Sequence, residues 1–118
     1  MSVYRRTPNL LLIGPDIVTR AYLDRLMTSV ASPVRFCDSA APCLPAEPVR
    51  GLVVRDVERL KRADQDQLLT WLNGNGYYTR VVSTSGTSFF PMVERGDFSD
   101  ALYYRINVVT LLLDRPPA

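Results

Sequence analysis

A three-layer α/β domain with a five-stranded, mainly parallel sheet is what the sequence predicts, on two observations. Short apolar runs of strand length alternate with helical patterns, and that alternation places helices on both faces of a parallel sheet. The 118 residues are 47% hydrophobic and 22% charged, an ordinary globular composition that gives one domain, residues 1–118, material for a real core.

The elements follow in order. Asn9–Ile13 has the apolar character of a buried strand. A helix is expected from Asp16 to Val30, with Val18, Tyr22 and Leu26 on one face and Leu23, Met27 and Val30 widening it. Asp16 after Gly14-Pro15 is its start signal and Ser32-Pro33 its stop. Val34–Cys37 is a short strand. Pro42, Pro45 and Pro48 make residues 39–49 a loop, since proline cannot serve the interior of a sheet. Gly51–Arg55 is the third strand, and a helix over Ala63–Asn73 stops at Asn73-Gly74-Asn75-Gly76. Arg80–Ser85 is the fourth strand. In Met92–Val109, Phe98, Leu102 and Ile106 recur every four residues, so the stretch reads as a short amphipathic helix feeding a buried fifth strand, Val108–Leu113.

Composition narrows the function classes. The net charge is +2 with both signs interleaved, so no basic patch points to direct DNA binding. No apolar run reaches the length of a membrane span. Arg5 and Arg6 precede Leu10–Ile13 as they would in a signal peptide, but Gly14-Pro15-Asp16 ends the run too early. Cys37 and Cys43 match no zinc spacing and the chain has no histidine, so neither a metal nor a cofactor is expected, and reduced thiols fit a cytoplasmic protein.

The order of residues in Met92–Val109, M-V-E-R-G-D-F-S-D-A-L-Y-Y-R-I-N-V-V, resembles the signature M-V-x-x-G-x-F-R-x-D-L-Y-Y-R-L-N-V of bacterial sigma-54-dependent transcriptional activators, a family of AAA+ ATPases that includes response regulators. The resemblance implies a trimmed AAA+, or P-loop NTPase, core with strand order five-one-four-three-two in chain numbering. It also marks where the family's working parts would lie. The phosphate loop, V-L-I-x-G-E-S-G-T-G-K-E in the family, is matched by Leu10 to Ala21, with Gly14 kept, Arg20 at the place of the lysine and β-branched Ile17, Val18 and Thr19 where glycines would curl around an anion. The L-F-L-D-E strand is matched by Leu52-Val53-Val54-Arg55-Asp56, so a cation stands where the family's aspartate helps hold Mg²⁺. The helix after it agrees with the family pattern at Gln65, Leu68, Leu69 and Leu72. In R-V-I-A-A-T-N the sensor asparagine is replaced by Gly86, and of the two arginines in F-R-x-D-L-Y-Y-R the first is Ser99 and only Arg105 remains. The proline loop occupies the place of the long insertion bearing G-A-F-T-G-A, and the family's lid and helix-turn-helix are expected to be missing.

The expectation is therefore a non-enzymatic, pseudo-ATPase domain that works in transcription regulation through protein contacts, with an AAA+ activator or a second copy as partner. The alternative is a residual nucleotide-binding protein or weak ATPase using Arg20 and Asp56. Gly14, Asp16, Arg20, Arg55, Asp56 and Gly86 are the degenerate nucleotide-site positions, and Ser99, Tyr103, Tyr104 and Arg105 the candidate interface, with Trp71 and the Tyr77-Tyr78 pair as further aromatic candidates. Asp16 is expected to cap its helix at the N–H of Val18 or Thr19, and Arg55 to lie beside Asp16 or Asp56 in place of a metal. Arg20 is expected to be a solvated surface charge, and Arg105 either a residual contact for a partner or a surface residue.

Overall fold

A computed structural model describes residues 8–28, 30, 33–75 and 78–117. Arg5, Arg6, Ser32, Gly76 and Tyr77, which the sequence singles out, lie outside the described residues. The chain runs β1 (Leu10–Ile13), α1 (Asp16–Met27), β2 (Val34–Asp38), β3 (Gly51–Arg55), a 3-10 turn (Val57–Arg59), α2 (Arg62–Asn75), β4 (Arg80–Ser85), α3 (Phe90–Glu94), α4 (Asp100–Ile106) and β5 (Val109–Leu112). The sheet order is β2-β3-β4-β1-β5 and every pairing is parallel, which is the order and, more strictly, the direction expected from the sequence. Among the described residues no helix is long and apolar enough to cross a membrane.

The two faces of the sheet are covered unequally. Leu11, Ile13, Leu52, Val54 and Val81 point to one side, beneath Leu68 and Leu72 of α2, Leu102 and Ile106 of α4, and the edge-to-face pair Phe89–Phe98, whose ring centroids are 4.9 Å apart. Leu10, Leu12, Val53 and Val82 point to the other side, where α1 covers them through Leu23 with half-buried Tyr22, Leu26 and Met27. The buried residues of α1 are Val18, Thr19 and Leu23, so the helix is turned slightly from the face expected, and it stops at Met27 rather than Val30. The proline loop replaces a crossover helix between β2 and β3. Leu44 packs on the larger core and the Trp71 indole N–H donates to Pro45 O at 2.8 Å, so Trp71 holds the loop to α2 rather than standing free.

The stretch from Met92 to Val109 forms two short helices, not one. Gly96, at φ +80°, takes the left-handed position after α3, where a side chain would be strained, and the N–H groups of Asp97 and Phe98 both bond Met92 O. Ser99 then caps α4, its Oγ accepting from Leu102 N at 3.2 Å. β5, expected to be buried because its run is largely apolar, lies at the edge that the implied strand order gave it, and its residues are exposed or half-buried. An apolar run by itself does not reveal how far its side chains will be covered.

Two buried amides join the helices to the sheet. Asn9 donates to Arg105 O at 2.9 Å and accepts from Val81 N at 2.8 Å, so one side chain ties the starts of β1 and β4 to the end of α4. Gln65, 1% exposed, accepts from Ser99 N at 2.8 Å and donates to Leu60 O at 3.0 Å and Asp97 O at 3.4 Å. Replacing Gln65 by Leu would fill the volume but leave the Ser99 N–H without a partner in the core, at a cost of about 2–3 kcal/mol. Chemical denaturation of Gln65→Leu is expected to show that loss, and an unchanged midpoint would count against the junction.

Candidate functional site

The strands are parallel, so the carboxyl ends of β1, β3 and β4 open on one edge of the sheet, where α/β proteins place their ligands. Gly14, Asp16 and Arg20 reach this edge from β1 and α1, Arg55 and Asp56 from the end of β3, Glu58 from the 3-10 turn, and Gly86 from just beyond β4.

Only Gly14 and Pro15 separate β1 from α1. Ile17, Val18 and Thr19, whose branching favoured regular backbone over a curled loop, lie in the first turn of the helix. The N–H groups of Val18 and Thr19 donate to Pro15 O at 2.9 and 3.0 Å, and the Thr19 hydroxyl to Asp16 O at 3.1 Å. Gly14 has a structural task of its own. Its N–H donates to Ser85 O at 3.0 Å, and a Cβ at this position would stand 2.4 Å from Leu113 O, a backbone atom just beyond β5. The glycine is needed because two backbones approach closely there.

Asp16 does not cap the helix, contrary to expectation: its side chain makes no capping bond. The carboxylate turns sideways to two arginines instead, with Oδ2 at 3.0 Å from Arg20 Nε and Oδ1 at 3.7 Å from Arg55 Nη2. Arg55 thus lies beside Asp16, as expected. Arg20 is exposed, as expected, and is ion-paired as well. Such solvent-exposed pairs contribute little, about 0–1 kcal/mol each, but they satisfy all three side chains from within the chain. Asp56 sits in the left-handed region, φ 54° and ψ 48°, which aspartate tolerates better than most residues, and its N–H donates to Thr84 Oγ1 at 3.1 Å. Glu58, which the sequence did not single out, accepts from Gly86 N at 2.8 Å through Oε2, so it takes up the backbone donor at the sensor position. Among the described residues, no group of three or more His, Cys, Asp or Glu side chains could hold a metal ion.

The candidate interface divides. Ser99 is a correction: it is buried, occupied by its capping bond, and its N–H is held by Gln65. Tyr103 is half-buried, packed edge-on against Phe89 with centroids 5.3 Å apart, while Tyr104 is 63% exposed. Arg105 is half-buried and bonded within the chain, to Asn73 Oδ1 and Leu72 O, both at 2.9 Å, so it serves as a tie from α4 to the end of α2 rather than as a simple surface charge. Tyr78 is exposed, with the Arg50 guanidinium 5.1 Å from its ring centroid. Both cysteines are free, and burial pushes the Cys37 thiol above its ordinary value, which keeps it protonated and unreactive.

A parallel sheet in this order, with a strand-to-helix turn at its carboxyl edge, defines an α/β core of the P-loop NTPase type. The chain belongs to the sigma-54 interaction domain family, whose model matches residues 2–115. Solved structures with the same fold include NtrX from Brucella abortus in complex with ATP, at a TM-score of 0.69 and 17% identity, covering 89% of this chain and 31% of that one. NtrX in complex with ADP is similar at a TM-score of 0.69 and 16% identity, covering 91% of this chain and 32% of its own. The P-loop NTPase domain of the sigma-54 transport activator from E. coli follows at 0.60 and 16%, covering 93% of this chain and 86% of that domain. The chain therefore spans about a third of the NtrX chains it matches. No curated protein matches it in sequence.

The close approach at Gly14 gives a direct test. Gly14→Ala must push the β1–α1 turn away from Leu113 or strain it, at a cost of about 1–3 kcal/mol. Thermal or urea unfolding is expected to show that loss, whereas a variant as stable as the parent would mean that the turn has slack.

Proposed function

We propose that this chain is a non-catalytic member of the sigma-54 interaction family that acts in transcription regulation through protein contacts. One observation carries the reading: the turn between β1 and α1 is reduced to Gly14-Pro15, and the residues that would wrap a phosphate are the first turn of a helix. An anion at this edge would find the N–H groups of Val18 and Thr19 already bonded to Pro15 O and the Asp16 carboxylate in the way. A metal would meet the Arg55 guanidinium. A residual nucleotide site built on Arg20 and Asp56 is disfavoured by the same geometry, since Arg20 is paired with Asp16. The contacts proposed are with an AAA+ activator or a second copy of the chain.

Titration with ATP and Mg²⁺ tests the reading. No saturable heat is expected at millimolar nucleotide, and no rise in melting temperature, because a ligand far below its Kd adds almost nothing to stability. A rise specific to Mg-ATP, absent with other anions, would overturn it.

Arg105 separates fold from contact. Since Arg105 bonds Leu72 O and Asn73 within the chain, Arg105→Glu is expected to cost the fold about 1–3 kcal/mol. Unfolding measured alongside size-exclusion chromatography with an activator reads both effects. A variant as stable as the parent would show that the α2–α4 tie contributes nothing.

A further inference from the structure

The two edges of the sheet are guarded differently. β2 is preceded by Pro33 and carries exposed Arg35 and Asp38, and the chain folds back at its end through an isolated bridge between Asp38 and Ala41. Charge, proline and a returning chain are the usual means of keeping an edge from pairing with another molecule. Among the described residues, β5 has none of these along its length. Val109, Thr110, Leu111 and Leu112 are uncharged, and the flanking ion pair Asp114–Arg115 lies beyond the strand.

Backbone direction follows from the pairing. Val109 N donates to Asn9 O at 3.1 Å and Leu113 N to Ile13 O at 2.8 Å. Alternation along a parallel strand then turns the N–H and C=O groups of Thr110 and Leu112 away from β1, toward the open side. The side chains around this row are apolar and uncovered: Val108 is 61% exposed, Leu112 75% and Leu111 37%. The Thr110 hydroxyl is satisfied locally by the Asn107 side chain, so it needs no water when the edge is covered.

We propose that β5 is an interaction edge at which a second copy of this chain adds its own β5 in antiparallel pairing about a two-fold axis at Thr110. That axis sets Thr110 against Thr110 and Val108 against Leu112, so the outward backbone groups meet as hydrogen-bonded pairs and apolar side chains meet apolar ones. No like charges confront one another across the strands. A pairing of four residues per copy falls short of the ~800 Å² that each partner buries in a standard stable interface, so the dimer is weak. This deepens the protein-contact reading by naming a surface and a partner, and it is independent of the nucleotide site.

Sedimentation velocity of the full chain, from about 10 μM to about 1 mM, tests it. The parent is expected to shift from monomer to dimer over that range, with amide exchange at Thr110 and Leu112 slowing as the dimer forms. Thr110→Lys and Leu112→Lys place a charge at an exposed edge position, which should change stability little, and each is expected to stay monomeric throughout. A parent that remains monomeric with fast exchange at both amides overturns the proposal, as does a dimer that persists in both lysine variants. A parent that stays monomeric alone but co-sediments with another protein through this edge would assign it to a foreign strand and equally overturn self-pairing. Saturable Mg-ATP binding would overturn the proposed function and leave this result standing.

Discussion

The buried amide of Gln65 is the junction on which the upper layer of this domain depends. Its oxygen takes the N–H of Ser99 and its nitrogen serves Leu60 O and Asp97 O, so the start of α2, the turn after α3 and the start of α4 meet at one side chain. Once α4 is fixed there, Leu102 and Ile106 reach the sheet, and Arg105 reaches back to the end of α2. Asn9 completes the frame from below by holding Arg105 O and Val81 N. Buried amides are costly unless fully bonded, and here each is satisfied on both its oxygen and its nitrogen, which specifies the arrangement as well as stabilising it.

The same economy governs the carboxyl edge of the sheet. The β-branched residues that stand where the family has glycines lie in the first turn of a helix that begins at Asp16, two residues after β1. The charges there are held within the chain, Asp16 between Arg20 and Arg55, and Glu58 occupies the backbone donor of Gly86. Gly14 stays a glycine because Leu113 passes too close for a side chain. A residue that matches a nucleotide motif can thus be held in place by packing alone.

The signature stretch shows the same division between matching and working. Gly96 turns the chain, Phe98, Leu102 and Ile106 fill the core, and Arg105 ties two helices. Tyr104 and Val108 are left facing solvent, next to an edge strand with an open backbone. The exposed residues of this stretch therefore lie at its end, running into β5, rather than at Ser99, which the fold buries.

The sequence by itself determined the class of fold, because periodicity and the alternation of strands with helices depend on local chemistry. Five strands were placed within a residue or so, and the resemblance in Met92–Val109 carried the family and the strand order. The helical backbone at Ile17, Val18 and Thr19 was legible too, since β-branched residues declare their preference for regular backbone without help from distant residues. Four matters were decided only by the tertiary structure. That Asp16 would turn to Arg55 as well as to its helix neighbour Arg20, that Ser99 would be buried with its N–H held by Gln65, that Gly14 would answer to Leu113, and that the side chains of β5 would be left exposed all depend on residues far away in sequence. A side chain's hydrogen bonds and a strand's burial are properties of its neighbours in space, and an apolar tetrad reads the same in the middle of a sheet as at its rim.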